Sequence, residues 1–110
     1  MLTLPNKPRL FLFQEAVDMR RSFEGLSAIA EKAFPEELLT DGAYFIFLNR
    51  RKDSMKVLYW DLDGLAIWYK RLEKGTFSRK SSENAISRRE FLMLLEGIEP
   101  KKFKLRYTMT

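Results

Sequence analysis

The sequence predicts an α+β domain, a small antiparallel sheet with helices packed on it in the order β-α-β-β-β-α, and three observations predict it. Between residues 44 and 77, apolar runs alternate with two polar breaks, 49–54 and 61–64. A three-stranded antiparallel meander has this pattern. Upstream, Met19, Phe23, Leu26, Ile29, Ala30 and Ala33 recur at spacings of three and four, the mark of one helical face. Downstream, Ser87-Arg88-Arg89-Glu90 has the residue types of a capping box at the start of a second helix.

At 110 residues the chain is read as one domain, 1–110, with an irregular lead-in over 1–8 and a basic tail over 100–110. Hydrophobic residues make up 45% and aromatics 14%, a globular rather than a disordered composition. Cysteine and histidine are both missing. Disulfides, thiol chemistry and histidine general bases are thereby excluded, and any catalysis would fall to carboxylates, lysine, tyrosine or serine. The opening MLTLPNKPRLFLF lacks the layout of a signal peptide, and no apolar run approaches a membrane span. The expectation is a cytoplasmic protein without a membrane partner. A formal charge of +5 favours a polyanionic one.

Each element has a local reason. In residues 9–17, Leu10 and Leu12 point one way and Phe11 and Phe13 the other, so a first strand covered on both faces is expected. Asp18 stands where an N-cap would open the first helix, and Pro35 stops it. Gly25 inside that helix suggests close packing against the sheet. Residues 35–39 read as a further helical turn before an Asp41-Gly42 turn. Strand 43–48 then leads into a loop holding Arg50, Arg51 and Lys52, and the chain returns over 55–60. Asp63-Gly64 is the dipeptide favoured at the centre of a type I′ hairpin. That centre sets Leu58 opposite Tyr69, Val57 opposite Lys70 and Lys56 opposite Arg71, the last a repulsive pair unless an anion such as phosphate relieves it. Residues 78–84 read as an exposed loop. In the last helix, Ile86 and Phe91 are placed for a hydrophobic staple, Phe91, Leu94 and Leu95 for docking, and Gly97 and Pro100 for its end.

No phosphate-binding glycine loop, nucleophile elbow or zinc spacing occurs. Asp61 and Asp63 could share a divalent cation from an extended chain, but aspartate before glycine is turn chemistry and the remaining ligands of a calcium loop are missing. No metal, cofactor or enzymatic activity is therefore expected. Asp18, Glu24 and Asp53 have ordinary readings as a cap, a first-turn acid and a loop residue. The basic clusters are Arg20-Arg21, Arg50-Arg51-Lys52, Lys70-Arg71 with Lys74, Arg79-Lys80, Arg88-Arg89 and the tail. Most such clusters are solvated faces. Cations beside Trp68 and Tyr69 nevertheless suit phosphate contact combined with base stacking.

Five separated segments carry a resemblance: DMRRSFEGL at 18–26, FLNRRKD at 47–53, KVLYWD at 56–61, Gly64 followed by WYKRLEKG at 68–75, and LLEGI at 94–98. Together they resemble the TnpB accessory protein of the IS sixty-six group of bacterial insertion sequences, over about residues 9–99. This protein is distinct from the RNA-guided nuclease that shares its name. The resemblance implies a non-catalytic product of a mobile element, needed for transposition beside a larger transposase that carries the catalytic acids. Leu62 departs from the pattern, where a small or polar residue is usual, and the lysine-rich tail lies outside it.

The expectation is an accessory factor that binds DNA at the element ends and assists transposase, with Arg50, Arg51, Lys52, Lys56, Lys70, Arg71 and Lys74 as the nucleic-acid-binding residues. The alternative is a protein–protein adaptor that docks on the transposase without touching DNA. Nothing in the sequence fixes an oligomeric state.

Overall fold

The computed structural model describes residues 4–5, 7–35, 42–77 and 83–96. Along the chain run β1 (Arg9–Leu12), α1 (Phe23–Ala33), β2 (Ala43–Leu48), β3 (Ser54–Asp61), β4 (Gly64–Arg71), β5 (Ala85–Ile86) and α2 (Arg88–Glu96). The strands form one sheet in the order β4-β3-β2-β1-β5. All pairings are antiparallel except β1 with β2, which is parallel and therefore needs the crossover that α1 supplies. The α+β class holds, while the expected β-α-β-β-β-α order gains the two-residue β5 and the sheet is antiparallel except for the β1–β2 pair.

The alternation of strand side chains divides the core into two layers. One face of the sheet shows Leu10, Leu12, Tyr44, Ile46, Leu48, Met55 and Val57, and these pack with Phe77 and with Phe91 and Leu94 of α2. The other shows Ala43, Phe45, Phe47 and Leu58, packed with Val17 and with Leu26 and Ala30 of α1. Phe11 and Phe13 join this second layer, so β1 is covered on both faces, as its sequence implies. Rings link the layer internally, with Phe11 stacked on Phe45 at 5.5 Å and tilted against Phe34 at 5.4 Å.

The second helix follows its sequence signature. Ser87 Oγ accepts from the Glu90 N–H at 3.0 Å, and Glu90 Oε1 accepts from the Ser87 N–H at 2.9 Å. This reciprocal pair satisfies two donors that the first turn would otherwise leave open. Ile86 and Phe91 are buried in the same cluster. Gly97, Pro100 and the tail, the expected helical turn at 36–39, Asp41, and most of the expected 78–84 loop lie outside the described residues.

Four expectations are corrected. β1 ends at Leu12 rather than continuing to Val17, although the Phe13 and Val17 N–H groups still donate to the Ile46 and Leu48 carbonyls, at 3.0 and 2.9 Å. Helix α1 begins at Phe23, not after Asp18, because Asp18 folds its own turn. Its Oδ1 accepts from the Arg20 N–H at 2.9 Å and its carbonyl from the Arg21 N–H at 3.1 Å. Gly25 does not approach the sheet; a Cβ there would lie 3.3 Å from Arg21 Cβ, so the close neighbour is the preceding turn.

The fourth correction is the hairpin register. Asp61 pairs with Gly64, which makes Leu62-Asp63 the turn centre, one residue earlier than the Asp-Gly dipeptide suggests. Moving the centre by one shifts the pairing by two, so the faces are kept while every partner changes. Lys56 lies opposite Tyr69, Val57 opposite Trp68 and Leu58 opposite Ile67, and the expected Lys56–Arg71 repulsion does not exist. The turn holds Leu62 at φ 55, and the Trp60 indole donates to its carbonyl at 3.0 Å.

Leu62 is 91% exposed, so its side chain contributes little burial while its backbone occupies a region that L side chains disfavour. Leu62→Gly is expected to raise the stability of the domain by about 1 kcal/mol. Urea unfolding monitored by tryptophan fluorescence checks this, and a lower midpoint for the variant would show that the turn carries no such strain.

Candidate nucleic-acid interface

The chain leaves β1, β2 and β4 at one end of the sheet, because those three strands run in the same direction and β3 runs against them. The exits therefore gather three segments, 13–22, 49–53 and 72–77. Asn49 builds the middle one. Its Oδ1 accepts from the N–H groups of Asp53 and Ser54, both at 3.0 Å, and its Nδ2 donates to Asp53 Oδ1 at 2.7 Å. Lys52 reverses the chain at φ 61, its N–H bonded to the Asn49 carbonyl at 3.1 Å. One amide side chain thus closes the turn and leaves Arg50, Arg51 and Lys52 exposed.

The other two segments are tied to this turn. The Leu72 N–H donates to the Asp53 carbonyl and the Phe77 N–H to the Lys52 carbonyl, both at 2.7 Å. Phe77 is fully buried and anchors its segment, which carries the exposed Lys74. On the other flank, Val17, Asp18 and Met19 face Asn49, Arg50 and Arg51 across an open cleft of about 400 Å³. Arg51, Lys52 and Lys74 are thus brought to one pole with Arg50, and the ends of β4 add Lys70 and Arg71, both exposed. Successive residues of a strand point to opposite faces, so Lys70 lies on the α2 face and Arg71 on the α1 face. These two flank the tip and do not join it as one patch.

Lys56 does not belong to this surface. Only 9% of it is exposed, its Nζ donates to the Arg21 carbonyl at 2.7 Å, and it sits 4.9 Å from the centroid of the Tyr69 ring. A lysine in a strand reads as a solvated cation when only its sequence is available. Here its alkyl stem crosses the α1 face of the sheet and its head is spent on an internal bond. Trp68 is half-buried against the α2-side core, whereas Tyr69 is 50% exposed.

The acids at the pole are partly offset. The Arg20 guanidinium grips Asp18, Nη2 to Oδ2 at 2.7 Å and Nε to both carboxylate oxygens at 3.1 and 3.0 Å. Those bonds first, then the Arg20 backbone N–H, hold the Asp18 carboxyl at about 2 instead of 3.8, and the Arg20 pKa is raised in turn. Asp53 is engaged by Asn49, and Glu73 stands exposed beside Lys74. At the far end of the sheet the β3–β4 turn carries Asp61 and Asp63. The start of β1 brings the exposed Lys7 and Arg9 to that same end, so cations stand at both ends of the sheet. Asn49 is the residue that sequence reasoning passed over; its signal is an asparagine four residues before an aspartate at the close of an apolar run.

Among the described residues, no group of three or more aspartates and glutamates could hold a metal ion, and no helix is long and apolar enough to cross a membrane. What the fold and this end of it define is a small α+β domain with Arg50, Arg51, Lys52 and Lys74 on neighbouring turns at one end of its sheet. By its sequence the chain belongs to the family described as IS66 Orf2 like protein, whose model matches residues 8–105. Members of that family are accessory proteins of insertion sequences, in agreement with the resemblance carried by the five segments. Two relatives come from Sinorhizobium fredii. Uncharacterized protein y4jC is 32% identical over 102 residues, covering 87% of this chain and 84% of its own length. Uncharacterized protein y4hO is 31% identical over 102 residues, covering 90% and 88%. No solved structure matches.

Two outcomes test the geometry of the pole. Asn49→Ala leaves the Asp53 and Ser54 N–H groups without their acceptor and is expected to cost about 1–3 kcal/mol in urea unfolding. Unchanged stability would mean that the turn closes without the amide. Asp18 has a lowered folded-state pKa, so its contribution is present above the ordinary value of 3.8 and is lost as pH falls towards about 2. Asp18→Asn is accordingly expected to flatten the acid limb of the stability curve in that window, read from thermal unfolding at a series of pH values.

Proposed function

We propose that this protein is a non-enzymatic accessory factor of transposition that binds DNA at the ends of its element through the basic pole and assists a separate transposase. The observation that supports this reading is the exposed turn with Arg50, Arg51 and Lys52 at its tip. It is flanked by Lys70, Arg71 and Lys74 and opposed across the molecule by the acidic turn of Asp61 and Asp63. Cations concentrated on one exposed turn attract a polyanion to it. The tip is built by a side-chain clamp rather than by long flexible chain, and guanidinium groups on it can meet phosphate oxygens with two N–H donors each. Contacts of that kind fix position on a duplex without reading its sequence. Sequence preference would come from the transposase or from DNA shape.

Binding of element-end duplex, followed by gel shift over a salt series, is the test. The logarithm of the binding constant is expected to fall linearly with the logarithm of salt concentration. Replacing Arg50 and Arg51 together by alanine should reduce the slope by about 1.8, the share of two phosphate contacts. A slope unaltered by that pair would move the interface elsewhere. No binding at low salt would reject DNA contact and leave an adaptor that docks on the transposase.

A further inference from the structure

The outer edge of β4 carries an inference independent of DNA binding. The Leu72 N–H to Asp53 carbonyl bond lies in the same register as the β3–β4 ladder, so residues 53 and 72 form a hydrogen-bonded pair and the pairs alternate from there. Met55 with Lys70, Val57 with Trp68 and Tyr59 with Ala66 exchange bonds. Leu65, Ile67, Tyr69 and Arg71 therefore direct their N–H and C=O groups away from β3. Among the described residues nothing pairs with that side of β4, which ends the sheet. The opposite edge is β5, only 2 residues long, whereas β4 has 8. Natural edges are usually blunted by proline, a bulge or inward charge; Leu65 to Tyr69 contains none of these. Its side chains are half-buried apolar groups, ending in the exposed Tyr69.

We propose that a second copy of this chain pairs here, β4 against β4, antiparallel about a two-fold axis at Ile67. The partner is identified by charge. The strand is cationic where it ends, at Lys70 and Arg71, and anionic where it starts, at Asp61 and Asp63. An antiparallel copy sets each end against its opposite. With the axis at Ile67, the outward-directed groups match. Ile67 bonds its own counterpart, Leu65 meets Tyr69 of the second copy on the α1 face, and Arg71 stands opposite Asp63 of the second copy. An axis one residue later would set Arg71 opposite Leu65 and lose the ion pairs. The interface is isologous and closes at two copies, giving one continuous sheet. The two Arg50–Lys52 turns remain outside it at opposite ends, and Arg71 is drawn from the phosphate-facing set into the interface.

Sedimentation of the full chain without DNA, from about 1 to about 100 µM, is the test. The expected result is a monomer–dimer equilibrium in which Arg71→Glu and Asp63→Lys each weaken dimerisation about tenfold, since each converts two ion pairs into two repulsions. The doubly substituted chain should recover the parental constant. Both positions are exposed, and the recovery separates a lost contact from a misfolded variant. Amide exchange supplies a second reading: Leu65, Ile67 and Tyr69 should gain protection as concentration rises. A monomer throughout the range, a dimer indifferent to both single substitutions, or protection that does not depend on concentration would each overturn the proposal.

Discussion

Burial of β2 on both faces and both edges is the constraint from which the rest of the architecture follows. All six residues of Ala43–Leu48 are buried. A strand so placed must have its backbone groups bonded on both sides, which β1 and β3 do, and its apolar side chains covered above and below. Tyr44, Ile46 and Leu48 require one cover, and Ala43, Phe45 and Phe47 another. The two helices therefore go to opposite faces, α2 to the first and α1 to the second. Because β1 is parallel to β2, the connection between them must cross the sheet, and α1 is that crossing. The position of the basic pole is then a by-product of core packing: three strands that exit together deliver their following turns to the same end.

Within this frame the legible parts of the sequence are those in which local chemistry and burial demand the same thing. The run AYFIFL is apolar at every position between two turn signals, which suits a strand, and the structure buries all six residues. The capping box of α2 works through bonds between residues three apart, so neighbours in sequence suffice to specify it. Where two local devices compete, sequence decides less. Asp18 is a sound N-cap by type, but the same carboxylate can close its own turn with the Arg20 N–H and guanidinium, and that alternative displaces the helix start to Phe23. Asp63-Gly64 is a sound hairpin centre by type. The register is set instead by the long ladder behind it, and the turn accepts Leu62 at positive φ in consequence. The two-residue β5 has too few residues to show any period.

The candidate site divides along the same line. That Arg50, Arg51 and Lys52 share a turn can be read directly, because the polar break between two strands is contiguous. That Lys74 joins them cannot, since it depends on Phe77 being buried and on two backbone bonds between residues distant from one another along the chain. Adjacent Lys70 and Arg71 look like one patch in a written sequence and are two in a strand. A charge cluster in sequence becomes a charge cluster in space only where the backbone turns.

Lys56 shows why a cation in an amphipathic strand is not a surface residue by default. Its neighbours on the α1 face run from Phe47 and Leu58 toward the open edge at Tyr69, so the position lies where the cover given by α1 thins out. A short polar side chain there would leave the Arg21 carbonyl without its donor, and an apolar one would fill the space but make no bond. Lysine does both: the methylenes add to the layer, and Nζ reaches the carbonyl just ahead of α1 while resting against the Tyr69 ring. The bond joins the approach to α1 to strand β3, two regions separated in sequence by α1 and β2. It thus ties to the sheet the end of the segment that holds Asp18 and Arg20, the segment whose Asp18 lines the cleft beside the Arg50–Arg51 turn.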